Sequence, residues 1–222
     1  ARNFEIRKNL LKYDDVMNRH RKAVYAMRKE ILKSEDISKR IKIFVEEEVG
    51  ALATSPLLLT DQFVPLESDV FPFDSKQLDR LFDAPADNFG KVLLQEAQEM
   101  YTANEKAFTA EIMRKVERDI YLQILDNLWM QHLENMDHLR EGIHWMSVGQ
   151  RDPLVEYRRQ GQRLFDELQS TLRHEVVRTI FHARPVDVRN LDAPTETELT
   201  RAARNSVGNI DQIIEGEAEI KE

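Results

Sequence analysis

Ile6, Leu10, Tyr13, Met17, His20, Val24, Met27 and Ile31 follow one another in strict steps of four and three. That spacing returns a side chain to one face of an α-helix, so the chain opens with a long helix carrying a single seam. A seam of that length needs a partner, and the first requirement on the rest of the sequence is to supply helices that cover it. Only seven glycines in 222 residues, with 32% charged and 41% hydrophobic residues, fit one or two helical domains better than a sheet-rich fold.

The same composition excludes several classes of function. No run of eighteen apolar residues occurs, and the richest segment, Ile112 to Ile143, is broken by charge every few positions, so no membrane-spanning helix is expected. The net charge of −8 argues against a nucleic-acid partner while leaving room for a local basic patch. With no cysteine there are no disulfides, no thiolate catalysis and no thiolate metal site, a composition compatible with a reducing compartment. The sequence starts at Ala1 inside a pattern that is already helical, with no leader, as expected of a piece of something longer.

Ser34, Glu35 and Asp36 read as an N-cap with an acidic first turn, so a second helix is expected through Ile37, Ile41, Phe44 and Val45 towards Gly50, nearly continuous with the first. From Ala51 to about Asn104, Pro56, Pro65, Pro72 and Pro85 forbid a long helix. Lys76 to Phe82 and Phe89 to Met100 are expected as short helices of a small, irregular subdomain. From Ala110, Ile112, Val116, Ile120, Ile124 and Leu128 define a stripe, continued by Trp129, Leu133, Met136, Leu139 and Ile143. A helix from Ala110 to Glu141 is about 48 Å long. Asp152 is a natural N-cap and Pro153 a natural first residue for a returning helix whose inner face carries Leu154, Tyr157, Gly161, Leu164, Leu168, Leu172, Val176 and Ile180. Gly161 on that face suits a close approach of two antiparallel helices. From Asp187 to Glu222, nine acidic residues against four basic ones give a net of −5, as expected of a disordered tail.

Catalytic constellations are absent from the pattern. The glycines at 50, 90, 142, 149, 161, 208 and 216 fit neither a Walker A loop nor a dinucleotide fingerprint, so the chain alone should not hydrolyse ATP and is expected to hold no cofactor. His132, Glu134 and His138 invite a metal reading, but His132 and His138 lie about 240° apart on a helix, which favours packing or solvent roles. Asp14 and Asp15 diverge by about 100°, too far to converge on one substrate. Asp15 is expected to pair with Arg19. The strongest anomaly is "REGIHWMSVGQRDPLVEY", residues 140–157, a connection between helices that carries Ile143, Trp145, Met146 and Val148. Its apolar residues either fold back on their own helix ends or form a greasy tip that meets a partner or a passing polypeptide, with Arg140 and Arg151 beside it.

Three blocks, "ARNFEIRKNLLKYDDVMN" at 1–18, "LDNLWMQHLENMDHLREGIH" at 125–144 and "QRDPLVEY" at 150–157, resemble the helical scaffold and helical wing of SecA, the motor family of bacterial protein secretion. The resemblance runs to about residue 186 and is weakest through the proline-rich segment. It implies an all-α fold with a long scaffold helix (1–50), a helical wing (51–109), an antiparallel two-helix finger (110–186) and an acidic linker (187–222). By the same resemblance, Ile143, His144, Trp145, Met146, Val148 and Arg151 meet unfolded preprotein and the SecY channel. Arg2, Asn3, Phe4, Tyr13, Asp14 and Asp15 dock on neighbouring domains, while Tyr157, Gly161 and Leu164 pack the finger. The tip position that is commonly tyrosine in the family is Val148 here, which leaves Trp145 as the candidate aromatic contact, and the cysteine-rich zinc element found at the C-terminus of many members is missing.

The function implied is the coupling of nucleotide-driven motion, with ATP and Mg held by nucleotide-binding domains outside this chain, to a preprotein. Peripheral attachment at the cytoplasmic face of the bacterial inner membrane, with its anionic surface, is implied as well. A free-standing helical adaptor or holdase using the same apolar tip is the alternative.

Overall fold

The computed structural model describes residues 2–54, 69–146 and 152–185, with side chains from residue 11 onward and, in the helix that reaches Met146, as far as Ile143. The side chains of the seam positions Ile6 and Leu10 lie outside the description, and the proline-rich residues 55–68 and the acidic tail 186–222 lie outside the described residues. Among these, six α-helices and no strand are found: α1 (Arg2–Lys33), α2 (Ser38–Ala53), α3 (Ser75–Phe82), α4 (Phe89–Phe108), α5 (Ala110–Met146) and α6 (Pro153–His182). They belong to one unit that ends at Arg184.

α1 turns its seam inward as the spacing requires: Val16, His20, Val24 and Ile31 are buried, and Tyr13, Met17 and Met27 are half-buried. Its end differs from the expectation. Ser34 does not open α2. Its amide and hydroxyl both donate to the Glu30 carbonyl, at 3.1 and 2.8 Å, closing α1. Asp36 serves α2 instead, accepting the Ser38 amide at 2.7 Å, because its carboxylate sits two residues ahead of an orphan N–H. Asp15 and Arg19 are both exposed, and the ion pairs of α1 among the described residues run from Arg28 to Asp126 and from Glu30 to Arg40 rather than between those two.

The segment expected to be irregular contains more helix than its prolines suggested. Asp74 and Gln77 form a reciprocal capping box that starts α3. α4 runs twenty residues, well past Met100, because no proline or glycine occurs between Lys91 and Thr109. Glu96 of α4 is buried and accepts two hydrogen bonds from Arg80, at 2.6 and 2.7 Å, and one from Gln77 at 3.0 Å, which fastens α3 to α4. Leu93, Ala97 and Tyr101 of α4 join Val45 and Val49 of α2 and Val176 and Phe181 of α6 in one apolar core.

Val116, Ile120, Ile124 and Leu128 of the expected stripe are half-buried against the core, and the fully buried line of α5 lies one residue beyond it. Met113, Glu117, Tyr121 and Leu125 are buried, while Ile112 is 51% exposed. The displaced register brings a glutamate into the core. Glu117 accepts a hydrogen bond from the Tyr101 hydroxyl, and Arg114 lies 3.3 Å from its other oxygen. Burial pushes the Glu117 carboxyl above its usual range, against the pull of Tyr101 and Arg114.

Candidate functional site

α5 and α6 form the most extensive helix pair among the described residues. They run antiparallel, since Met136 meets Gly161 and, one turn away on each helix, His132 meets Phe165. α5 continues to Met146, one turn beyond the expected Glu141. α6 begins as the sequence reads, with Pro153 in its first turn and the Asp152 carboxylate accepting the Leu154 amide at 2.9 Å. α1 lies against both. A Cβ on Gly161 would stand 2.9 Å from Met136 Cε and 3.5 Å from Val16 Cγ1, so the missing side chain sets how closely three helices meet.

Towards the loop, a second apolar cluster of Val16, Met136, Ile143 and Tyr157, with Leu139 and Leu164 half-buried around it, closes the hairpin. Tyr13 of α1 packs on Tyr157 of α6 with ring centroids 4.9 Å apart. Ile143 therefore departs from the tip role assigned to it. It is 1% exposed, because the helical step from Met136 carries it to the same inner face. His144, Trp145 and Met146 occupy the last turn of α5, and their side chains are outside the description, as are Val148 and Arg151. Arg2, Asn3 and Phe4 form the first turn of α1. Asp14 and Asp15 are exposed.

Between the two apolar clusters lies a layer that the sequence did not announce. His20 Nδ1 of α1 and His132 Nε2 of α5 share a hydrogen bond at 3.1 Å. Phe165 of α6 stacks on His20, centroids 4.5 Å apart, and Trp129 stacks on His132. Burial pushes both imidazoles down, His132 to about 4 with His20 adding to the effect, while Asp166 partly offsets it for His20. The pair ties α1 to the hairpin. Its helical spacing was visible, since His20 is a seam position, but nothing local in the sequence pairs residues 112 positions apart.

Leu128, His132, Leu139, Leu164, Leu168 and Thr171 of the hairpin help line a groove of about 580 Å³. Its lining is mixed, with Gln131, Asn135, His138 and Glu167 beside the apolar side chains. Glu134 and His138 are exposed while His132 turns inward, so this trio does not converge, and no group of three metal-ligating side chains is found among the described residues. No described helix is long and apolar enough to cross a membrane.

The family model of the SecA wing and scaffold domain matches residues 1–184, which hold the long helix α1 and the antiparallel hairpin. The chain belongs to the SecA wing and scaffold family. It is 33% identical over 231 residues to the protein translocase subunit SecA of Bifidobacterium adolescentis, covering 97% of this chain and 24% of that protein. The protein translocase subunit SecA 1 of Thermobifida fusca is 34% identical over 216 residues, 90% of this chain and 22% of its own length. SecA of Syntrophobacter fumaroxidans is 36% identical over 195 residues, 82% of this chain and 23% of its own. The chain thus spans about a quarter of the length of the curated SecA relatives it matches, and corresponds to the wing and scaffold region of a SecA-type protein translocase subunit.

Proposed function

We propose that this chain transmits motion in an ATP-driven preprotein translocase, with α5 and α6 as a two-helix finger whose tip touches the translocating polypeptide and the SecY channel. The observation that carries this reading is the bracing of the hairpin. α1 holds it through Val16, Gly161 and Met136, through Tyr13 on Tyr157, and through the histidine pair. A helix pair braced along one side moves as a unit, so a small rotation at its base becomes a displacement at its tip.

In the proposed assembly, residues 1–50 and 110–186 act as scaffold and finger, 51–109 as the wing, and 187–222 as an acidic linker. Arg2, Asn3, Phe4, Asp14 and Asp15 dock on nucleotide-binding and preprotein-binding domains. ATP and Mg are held there and not by this chain. The working place is the cytoplasmic face of the bacterial inner membrane, reached peripherally, with anionic lipid at hand. Trp145, Met146, Val148 and Arg151 are the contacts at the tip, and Ile143 supports them from inside.

The test is export of a preprotein into SecY-containing vesicles by the full-length translocase carrying Val148→Gly or Trp145→Ala. Translocation should fall several-fold while the melting temperature and basal ATP turnover hold. Normal export by both variants would remove the tip from the mechanism.

A further inference from the structure

α1 and α2 are separated by residues 34–37, and α4 and α5 by Thr109 alone. These two breaks lie side by side. Arg114, in the first turns of α5, reaches Asp36 at 3.3 Å and Glu105 near the end of α4 at 2.6 Å, and also donates to the Tyr101 hydroxyl at 3.1 Å. Arg118 points at the Ser34 carbonyl from 3.4 Å. Thr109 has φ 72° and ψ 148°, the one positive φ outside glycine among the described residues, in a region that β-branched side chains avoid. Its carbonyl accepts the Met113 amide at 3.0 Å, so the residue that ends α4 also caps α5.

Far from this line, a set of polar bonds adds to the apolar core that α2 and α4 share with α6. Glu48 of α2 is buried and accepts hydrogen bonds from Arg173 at 3.0 Å and His174 at 2.8 Å, both on α6. Arg178 of α6 meets Asp69 at 3.1 Å.

We propose that residues 34–37 and Thr109 form a paired hinge, pinned by Arg114, about which α2, α3 and α4 swing against the α1–α5–α6 frame, and that Glu48 with Arg173 and His174 is the latch that holds it shut. The lever arm decides which contacts open. Arg114 sits close to the axis, so its bonds to Asp36 and Glu105 survive a rotation. Glu48 lies about 15 Å along α2 from Ser38, so a turn of about 10° carries it about 3 Å, enough to break both of its bonds. A hinge needs few residues able to absorb a change in φ and ψ, and each crossing here is short. The inference concerns the chain's own frame and does not rest on the translocation reading, and its test contains neither channel nor preprotein.

The chain has no cysteine, so introduced pairs are unique labelling sites. Spin labels at Lys22→Cys on α1 and Glu46→Cys on α2, both exposed, report the hinge; Lys22→Cys with Gln123→Cys on α5 reports the frame. The parent should give one narrow distance for each pair. Glu48→Gln should add a second α1–α2 population displaced by about 3 Å or more, with the α1–α5 distance unchanged. Thr109→Gly, which frees the hinge without removing a buried charge, should broaden the α1–α2 distance in the same way. Should Glu48→Gln fail to fold, Thr109→Gly decides alone. A single narrow α1–α2 distance in Thr109→Gly, or equal broadening of the α1–α5 pair, overturns the proposal.

Discussion

His20 and His132 meet nitrogen to nitrogen at 3.1 Å between α1 and α5, in a layer that separates the two apolar clusters. One imidazole must donate and the other accept, which requires at least one to be neutral. Both are held below their usual range, chiefly by burial, His132 at about 4. For a base whose folded value is depressed, the unfolded chain binds more protons below pH 6.5. Stability is therefore complete above that pH and declines as pH falls from 6.5 towards 4. The loss attributable to His132 is of the order of 3 kcal/mol at the acid end. Urea unfolding at pH 7, 6 and 5 should show it, and His132→Gln, which cannot titrate, should flatten the slope. Equal slopes in the two proteins would show that the pair does not titrate as a buried unit.

His174 should behave with the opposite sign. Its bond to Glu48 holds its imidazole above the ordinary range, while burial pulls the other way. Glu48 is pushed up by burial and yet ends below its usual value because His174 and Arg173 donate to it. The stabilisation from protonated His174 is fully present below pH 6.5 and is lost as pH rises through its folded value. His174→Gln should cost most at pH 6 and progressively less towards pH 8.5. A cost that does not vary over that window would mean that His174 is neutral in the fold.

The reach of sequence reasoning follows from what each element depends on. α1, the Asp152–Pro153 start of α6 and the inner face through Tyr157, Gly161, Leu168, Leu172 and Val176 were legible because periodicity and capping are local. In α5 the half-buried stripe through Val116 and Ile120 was legible, but the fully buried line beside it was not, because Met113 and Tyr121 are less hydrophobic than their neighbours and Glu117 reads as a surface residue. What seats that glutamate inside is Tyr101 and Arg114, one of them on another helix. Glu48 and Glu96 escaped notice for the same reason, since their partners lie on other helices. Ile143 was assigned to the tip because the apolar run around it was read as a loop, whereas α5 extends to Met146 and carries Ile143 inward.

Gly161 tests how tightly the three helices meet. Alanine gains about 1 kcal/mol of helix propensity, but its Cβ would crowd Met136 Cε at 2.9 Å, a flexible end that can turn aside. Gly161→Ala should thus lie close to neutral. Gly161→Leu cannot be accommodated by one methyl group and should cost about 1 to 3 kcal/mol. Met136→Ala alone should destabilise by leaving a void, and in combination with Gly161→Leu should recover part of the loss, a coupling readable from a double-mutant cycle in urea. Strict additivity would mean that the added side chain escapes in another direction.

Thr109 gives the last prediction, and its sign is unusual for a glycine substitution. With φ 72° and ψ 148°, its backbone occupies a region that costs roughly 1 to 3 kcal/mol for a side chain carrying Cβ. Glycine removes that strain and loses about 1 kcal/mol through greater freedom in the unfolded chain. Thr109 is also exposed, so no core contact is lost. Thr109→Gly should therefore leave stability unchanged or raise it by up to about 2 kcal/mol. Thr109→Val, which keeps the branched Cβ, should bring no gain. A thermal melt of the two variants separates the cases: if Thr109→Gly melts below the parent and Thr109→Val does not, the junction is unstrained and its short span alone must account for any hinge.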